Sequence, residues 1–248
     1  MAKRSLSSRL LSKLPVPRRV ETTLDSALDK ALSIQRPAVQ RYLARTRDKH
    51  PEYTPAQTIE LLEKRYKQAV IGIGGASGAA AAVPGAGTAA GLATGAAEIT
   101  GFISATAMYV LALAEIHSIP IGDPEVRRAL VVSLLVGEGA EDVIAGTATE
   151  SGHWAQMIGR AAKKDAGAEA GKLSSINNRL TRMLITRAGA RQGALVFGRA
   201  LPLGLGAGIG AAGNAALAKG VISTARRAFG PPPKKLPGVV IDARATVR

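Results

Sequence analysis

"TPAQTIELLEKRYKQAVIGIGGASGAAAAVPGAGTAAGLATGAAEITG", residues 54–101, decides how this chain folds. It opens as a well-marked helix. Thr54 is a good N-cap, Pro55 takes the first helical position, and Gln57 completes a capping-box spacing. Ile59, Leu62 and Tyr66 then fall on one side. The helix runs into thirty residues, Gln68 to Ala97, that carry no formal charge. Pro84-Gly85 divides that run, because proline donates nothing to a helical ladder and glycine accepts the turn. Beyond it Gly87, Gly91 and Gly95 stand four apart, a small-residue ridge on one helix face. Ile99, Phe102, Ile103, Thr106, Val110, Leu113 and His117 continue with helical period, and Ser104, Ala105, Ala112 and Glu115 take the other side. The pattern predicts one long helix over roughly 86–117.

Glycines in such a run can cradle a phosphate, present a nucleophile, or let helices approach closely. A dinucleotide turn at Gly72–Gly78 requires a strand before it and an unbroken helix after it, with an acid such as Glu98 about twenty residues on. Pro84-Gly85 interrupts that helix, and the capped helix from Thr54 feeds straight into Val70. No G-x-x-x-x-G-K-[ST] occurs, so a P-loop is excluded. Ser77 in "GASGA" loosely matches a nucleophile elbow, but His50, His117 and His153 are scattered and no triad signature accompanies it. The same scatter argues against a metal site. Close packing is the reading that remains.

The rest of the chain is helical as well. Leu24, Ala27, Leu28, Ala31 and Leu32 share a face, with a break or kink expected at Pro37. A helix starts near Asp123-Pro124 and runs through Leu135, whereas 138–175 carries little signal beyond its single tryptophan, Trp154. A basic helical pattern resumes at "LSSINNRLTRMLITRAG". Residues 200–218 are again uncharged, and Gly206, Gly210 and Asn214 form a second small-residue ridge. The expected fold is all-α: a helical bundle with glycine-zipper hairpins at 69–117 and 200–218. A flexible basic arm (1–20) and a proline-rich, unpacked basic tail (231–248) flank a single helical domain (21–230).

Hydrophobic residues make up 46% of the 248, yet aromatics only 3%, so burial must come from many small contacts. With no cysteine, disulfides, thiolate catalysis and cysteine metal sites are excluded. The net charge of +15 is unevenly spread. Residues 1–67 hold 15 Lys/Arg against 7 Asp/Glu, 68–159 hold 2 against 8, and 160–248 hold 16 against 3. Basic ends flanking an apolar centre suit an anionic membrane surface. Nucleic acid is the alternative partner, disfavoured by the lack of an aromatic stacking platform or a helix-turn-helix. The opening "MAKRSLSSRLLSKLPVPRRV" lacks the apolar core of a secretory signal. Residues 200–218 contain only five large aliphatics, worth about −2 to −3 kcal/mol for insertion, so no segment spans convincingly alone.

Three blocks taken in order, "EKRYKQAVIGIGGASGAAAAVPGAG", "AEITGFISATAMYVLALAEIHSIPIGDPEVRRAL" and "GRALPLGLGAGIGAAGNAALAKGVISTARRAFGPPP", resemble the EcsC family over roughly 55–233. The resemblance implies a bacterial, actinobacterial-type helical protein that is membrane-associated and linked to ABC-transporter or secretion function. It supplies no catalytic residues. Where many members show Tyr-Gly after the central helix this chain has His117-Ser118, and Glu98 stands where Asp is expected. The expectation is therefore a non-enzymatic protein without a cofactor, on the cytoplasmic side of the bacterial membrane or else in the cytoplasm. Gly87, Gly91, Gly95, Gly206, Gly210 and Asn214 are expected as helix-packing residues. Glu98, Glu115 and His117 are the candidate polar site, with a membrane-protein partner or a second copy as a further possible contact.

Overall fold

A computed structural model describes residues 18–34, 36–81, 87–145, 153–161, 168–199 and 206–237. The readings made for the first seventeen residues, for Pro84-Gly85, for 200–205 and for 238–248 lie outside the described residues. Among the described residues there are nine helices and no strand, so the fold is all-α. They are α1 (Arg18–Leu32), α2 (Arg36–Lys49), α3 (Pro55–Ala81), α4 (Gly87–Ile116), α5 (Pro124–Val136), α6 (Ala140–Ala145), α7 (Trp154–Ala161), α8 (Ala168–Arg199) and α9 (Gly206–Phe229).

Local chemistry fixes three of the nine helix starts. Gln57 N–H donates to Thr54 Oγ1 at 3.3 Å and Thr54 N–H donates to Gln57 Oε1 at 2.9 Å, the reciprocal capping box at the head of α3. Asp123 caps α5 by accepting from Glu125 N–H at 2.8 Å, with Pro124 in the first turn. The break after α1 begins at Ser33 and Ile34, ahead of Pro37. Pro37 therefore does not kink a helix. It sits in the first turn of α2, where no intrahelical N–H is needed.

α4 is the axis of the bundle, packed by α1, α2, α3 and α5. The sequence pattern suggested one apolar face on α4. Instead Tyr109 to Ala114 are buried consecutively, because neighbours surround the helix on all sides. Gly95–Ile116 is long and apolar enough to cross a membrane, the only such stretch among the described residues, and more than half of its apolar window lies inside the bundle.

α3, α4 and α9 form the core trio. Tyr66 meets Thr106 and Ile73 meets Gly101, so α4 runs antiparallel to α3. Glu63 pairs with Arg226 and Val70 with Asn214, so α9 runs antiparallel to α3 as well. Gly72–Gly78 lies inside α3, where the backbone N–H groups belong to the helix. That corrects the alternative of a nucleotide turn there, and it removes the strand-to-helix elbow that Ser77 needed.

The tail begins differently from expectation. Residues 231–237 are not a free tail: Leu236 packs against the core and Arg47 Nη2 donates to the Pro237 carbonyl at 2.9 Å. Proline-rich composition removes helical structure but not apolar surface, and here that surface is used as a strap across the end of the trio.

Candidate functional site

The core trio has two unlike ends, separated by a polar layer. In that layer Asn214, nearly fully buried, donates from Nδ2 to the Val70 carbonyl at 3.1 Å and to Glu98 Oε1 at 3.2 Å. One side chain thus ties α9 to both arms of the α3–α4 hairpin. Sequence spacing assigned Asn214 to a packing ridge, and the structure gives it a hydrogen-bonding task instead.

Above this layer lie residues 71–81 of α3, 87–97 of α4 and 206–213 of α9, none of which carries a charge. The helix ends extend about 12–16 Å past the layer. Gly72, Ala76, Ala97, Ala212 and Gly213 are exposed here, and a Cβ added at Gly72, Gly75 or Gly213 would meet nothing within 4 Å. These are open glycines, not packing glycines. Gly95 is half-buried, whereas the side-chain surroundings of Gly87, Gly91, Gly206 and Gly210 lie outside the described residues.

Below the layer the chemistry changes. Tyr66 and Tyr109 stack with ring centroids 4.7 Å apart. Thr106 gives its hydroxyl hydrogen to the Phe102 carbonyl, so Tyr66 is the donor in the 2.9 Å Tyr66–Thr106 bond. Glu63 takes a bidentate pair from Arg226, at 2.9 Å from Nε and 2.6 Å from Nη2. That hydrogen-bonded carboxylate pushes the Arg226 pKa further up. Burial is the main cause that raises both tyrosine pKa values, and the nearby Glu63 charge adds to it at Tyr109.

A cavity of about 480 Å³ opens at this end, lined by Ile59, Glu63, Tyr109, His117, Arg226 and Phe229, with the strap residues Gly230, Pro231 and Pro232 along its edge. The His117 ring lies 5.2 Å from that of Phe229, and its Nδ1 is 2.9 Å from the Leu113 carbonyl. Burial lowers the His117 pKa, against the opposing pull of the Leu113 and Pro231 carbonyls. Among the described residues no partner meets its Nε2 or the Tyr109 hydroxyl in hydrogen-bonding geometry, and both atoms are closed off from solvent. A full Schellman cap follows directly: Ile119 N–H bonds the Ala114 carbonyl at 2.8 Å and Ser118 N–H that of Glu115 at 3.1 Å, with Ser118 left-handed at φ 57°.

The candidate polar residues are not brought together. Glu98 belongs to the Asn214 layer. Glu115 faces the other side of α4, where Arg36 Nη2 at 2.9 Å and Gln40 Nε2 at 2.9 Å hold it, and the pair raises the Arg36 pKa. His117 alone reaches the cavity. No group of three or more His, Cys, Asp or Glu side chains with metal-binding proximity exists among the described residues. Sequence reasoning missed Glu63, Tyr109 and Arg226, whose only local signal was helical phase. No family model, curated protein or solved structure matches the chain.

Proposed function

We propose that this chain is a non-enzymatic membrane-docking module of EcsC-like type, which dips the uncharged end of its core trio into one leaflet. The carrying observation is that three adjacent helix ends, from α3, α4 and α9, lose all charge beyond the Glu98–Asn214 layer. Their reach of about 12–16 Å is close to half of a roughly 30 Å hydrocarbon core, which suits shallow insertion better than spanning. The burial of Gly95–Ile116 within the bundle favours the same choice, since that helix already has protein neighbours. Open glycines at Gly72, Gly75 and Gly213 each cost helix stability of about 1 kcal/mol relative to alanine and have no packing return among the described residues. A smooth surface facing lipid tails supplies one. The basic first 67 residues and last 89 supply attraction to an anionic cytoplasmic leaflet. The EcsC resemblance adds the expectation that this membrane carries an ABC-transporter or secretion partner.

Flotation of the intact protein with vesicles of phosphatidylcholine plus phosphatidylglycerol tests the reading. Gly75→Asp is expected to reduce co-flotation about tenfold or more. Gly220→Asp, an equally open position on α9 below the layer, should leave it unchanged. Equal flotation of both variants, or no flotation of the parent protein, would sink the proposal.

A further inference from the structure

Charge returns below the uncharged tip in a definite order. Descending α3 from the Val70–Asn214 contact, the first charged side chain is Lys67, followed by Arg65 and Lys64. Descending α9 from Asn214, it is Lys219. α4 carries no charge between Glu98, in the layer itself, and Glu115. Lys67, Lys219 and Lys64 lie about 4.5, 7.5 and 9 Å below the layer along their helix axes. The first carboxylate beneath it on either helix is Glu63, about 10.5 Å down, and Arg226 takes both of its oxygens. The belt just under the tip therefore sets three lysines against the single Glu98 carboxylate, which Asn214 already binds.

Lys64 and Lys219 are exposed and Lys67 is half-buried. None of the three ammonium groups has an ion-pair partner among the described residues. Arg65 differs: it donates to Thr46 Oγ1 at 2.8 Å and lies over the Tyr42 ring, so α2 occupies it. A solvated lysine needs no partner, and spare charge alone would say nothing. Depth is what singles these three out. The headgroup zone of a leaflet is about 5–8 Å thick and begins where the hydrocarbon ends. With the tip in the hydrocarbon, the Asn214 layer stands at that boundary. Lysine stems lie along apolar surface and carry the ammonium into the polar zone, so all three heads reach the plane of the phosphates.

We propose that Lys64, Lys67 and Lys219 form a collar that binds the phosphates of anionic phospholipids, setting how deep the tip enters and which lipid it prefers. The inference rests on the tip-insertion reading and adds a position for the attraction. An ammonium head offers donors and a positive charge but no acceptor, so it selects an anionic acceptor. A zwitterionic headgroup brings its own cation beside the phosphate and cancels most of the gain. A headgroup of net negative charge does not. A nucleic acid fits less well, because its phosphates would lie against the uncharged tip, and α3 and α9 expose no aromatic ring at this depth for a base to stack on.

The test measures partition of the intact protein onto vesicles of phosphatidylcholine alone and of phosphatidylcholine with phosphatidylglycerol. The collar variant Lys64→Gln/Lys67→Gln/Lys219→Gln should bind the mixed vesicles about a hundredfold more weakly and the neutral ones as before. The control Lys49→Gln/Lys234→Gln/Lys235→Gln removes equal charge from exposed positions at the base. There Leu236 and Pro237 of the strap share a cleft with Thr58, about 18 Å below the layer. That exceeds the roughly 8 Å screening length at physiological salt, so the control should lose less than about threefold. Equal losses in the two variants would make net charge, not position, the cause and overturn the collar. An undiminished preference for phosphatidylglycerol in the collar variant, or a loss of duplex DNA binding in place of vesicle binding, would do the same. Gly75→Asp tells which reading has failed. If it weakens binding and the collar variant does not, the tip still inserts and only the collar falls. If it changes nothing, or the parent protein ignores vesicles, both fall.

Discussion

Gly75 and Gly230 belong to the same three-helix core, and a methyl group means opposite things at the two. At Gly75, inside the uncharged end of α3, a Cβ meets nothing within 4 Å. At Gly230, which ends α9, the backbone is left-handed at φ 76° and a Cβ would run into the His153 ring. The contrast extends to their neighbours. Gly101, across the α3–α4 seam, puts a Cβ 3.2 Å from Ile73, and Gly159 puts one 2.8 Å from Ile119. Glycine is thus structural at Gly230, Gly101 and Gly159, and unexplained by packing among the described residues at Gly72, Gly75 and Gly213, as it is at Gly220 below the layer. A small-residue run does not by itself say that helices need to be close. It says so only where a neighbour occupies the space.

The comparison breaks most readily at Gly230. Gly230→Ala must hold alanine in the left-handed region, at about 1–2 kcal/mol. It must also displace His153, whose Nδ1 lies 3.2 Å from the Arg227 carbonyl. Together these should lower stability by about 2–3 kcal/mol, read as a shift in the denaturant midpoint with an unchanged slope. A loss below half that would mean the end of α9 and its strap relax freely, and the base would no longer be the rigid half of the molecule.

Those base contacts were the least legible part of the chain. The capping box at Thr54 and the Asp123 cap are written in residues within three positions of each other, so the sequence alone located both helix starts. Glu63–Arg226 and Asn214–Glu98 join positions 163 and 116 residues apart, and helical phase says nothing about such partners. Asn214 stood among glycines and alanines and was assigned by its neighbours' size, although an amide in an uncharged run is itself a signal, because a buried amide must find partners. The strap was misjudged for a related reason. Its prolines report the absence of a helix, and docking of Leu236 depends on an apolar surface built from distant segments.

Acid and alkali should also act on the base and spare the tip, where no titratable group stands. A His117 pKa held below the ordinary 6.5 means the unfolded chain binds that proton more readily. Its contribution is therefore complete above pH 6.5 and is lost as pH falls below it. The raised tyrosines work in the other direction: Tyr66 and Tyr109 release their protons more readily when unfolded, so stability falls as pH climbs past 10.0. Thermal melts across pH should show both limbs, with the acid limb below pH 6.5 flattened in His117→Gln. An acid limb of undiminished slope in that variant would place the responsible groups elsewhere.

The smallest effect is the one that most sharpens the contrast. Gly75→Ala fills no occupied space and removes backbone freedom from the unfolded chain, so the protein in solution should gain about 0.5–1 kcal/mol. Gly101→Ala, facing Ile73 across the α3–α4 seam at 3.2 Å, has the same helical advantage but must push a side chain aside, and its net change should be smaller or unfavourable. Chemical denaturation of the two variants side by side gives the sign of each. If both gain equally, Ile73 yields without cost. If Gly75→Ala gains alone, the tip keeps its glycines for a reason that lies outside the folded chain.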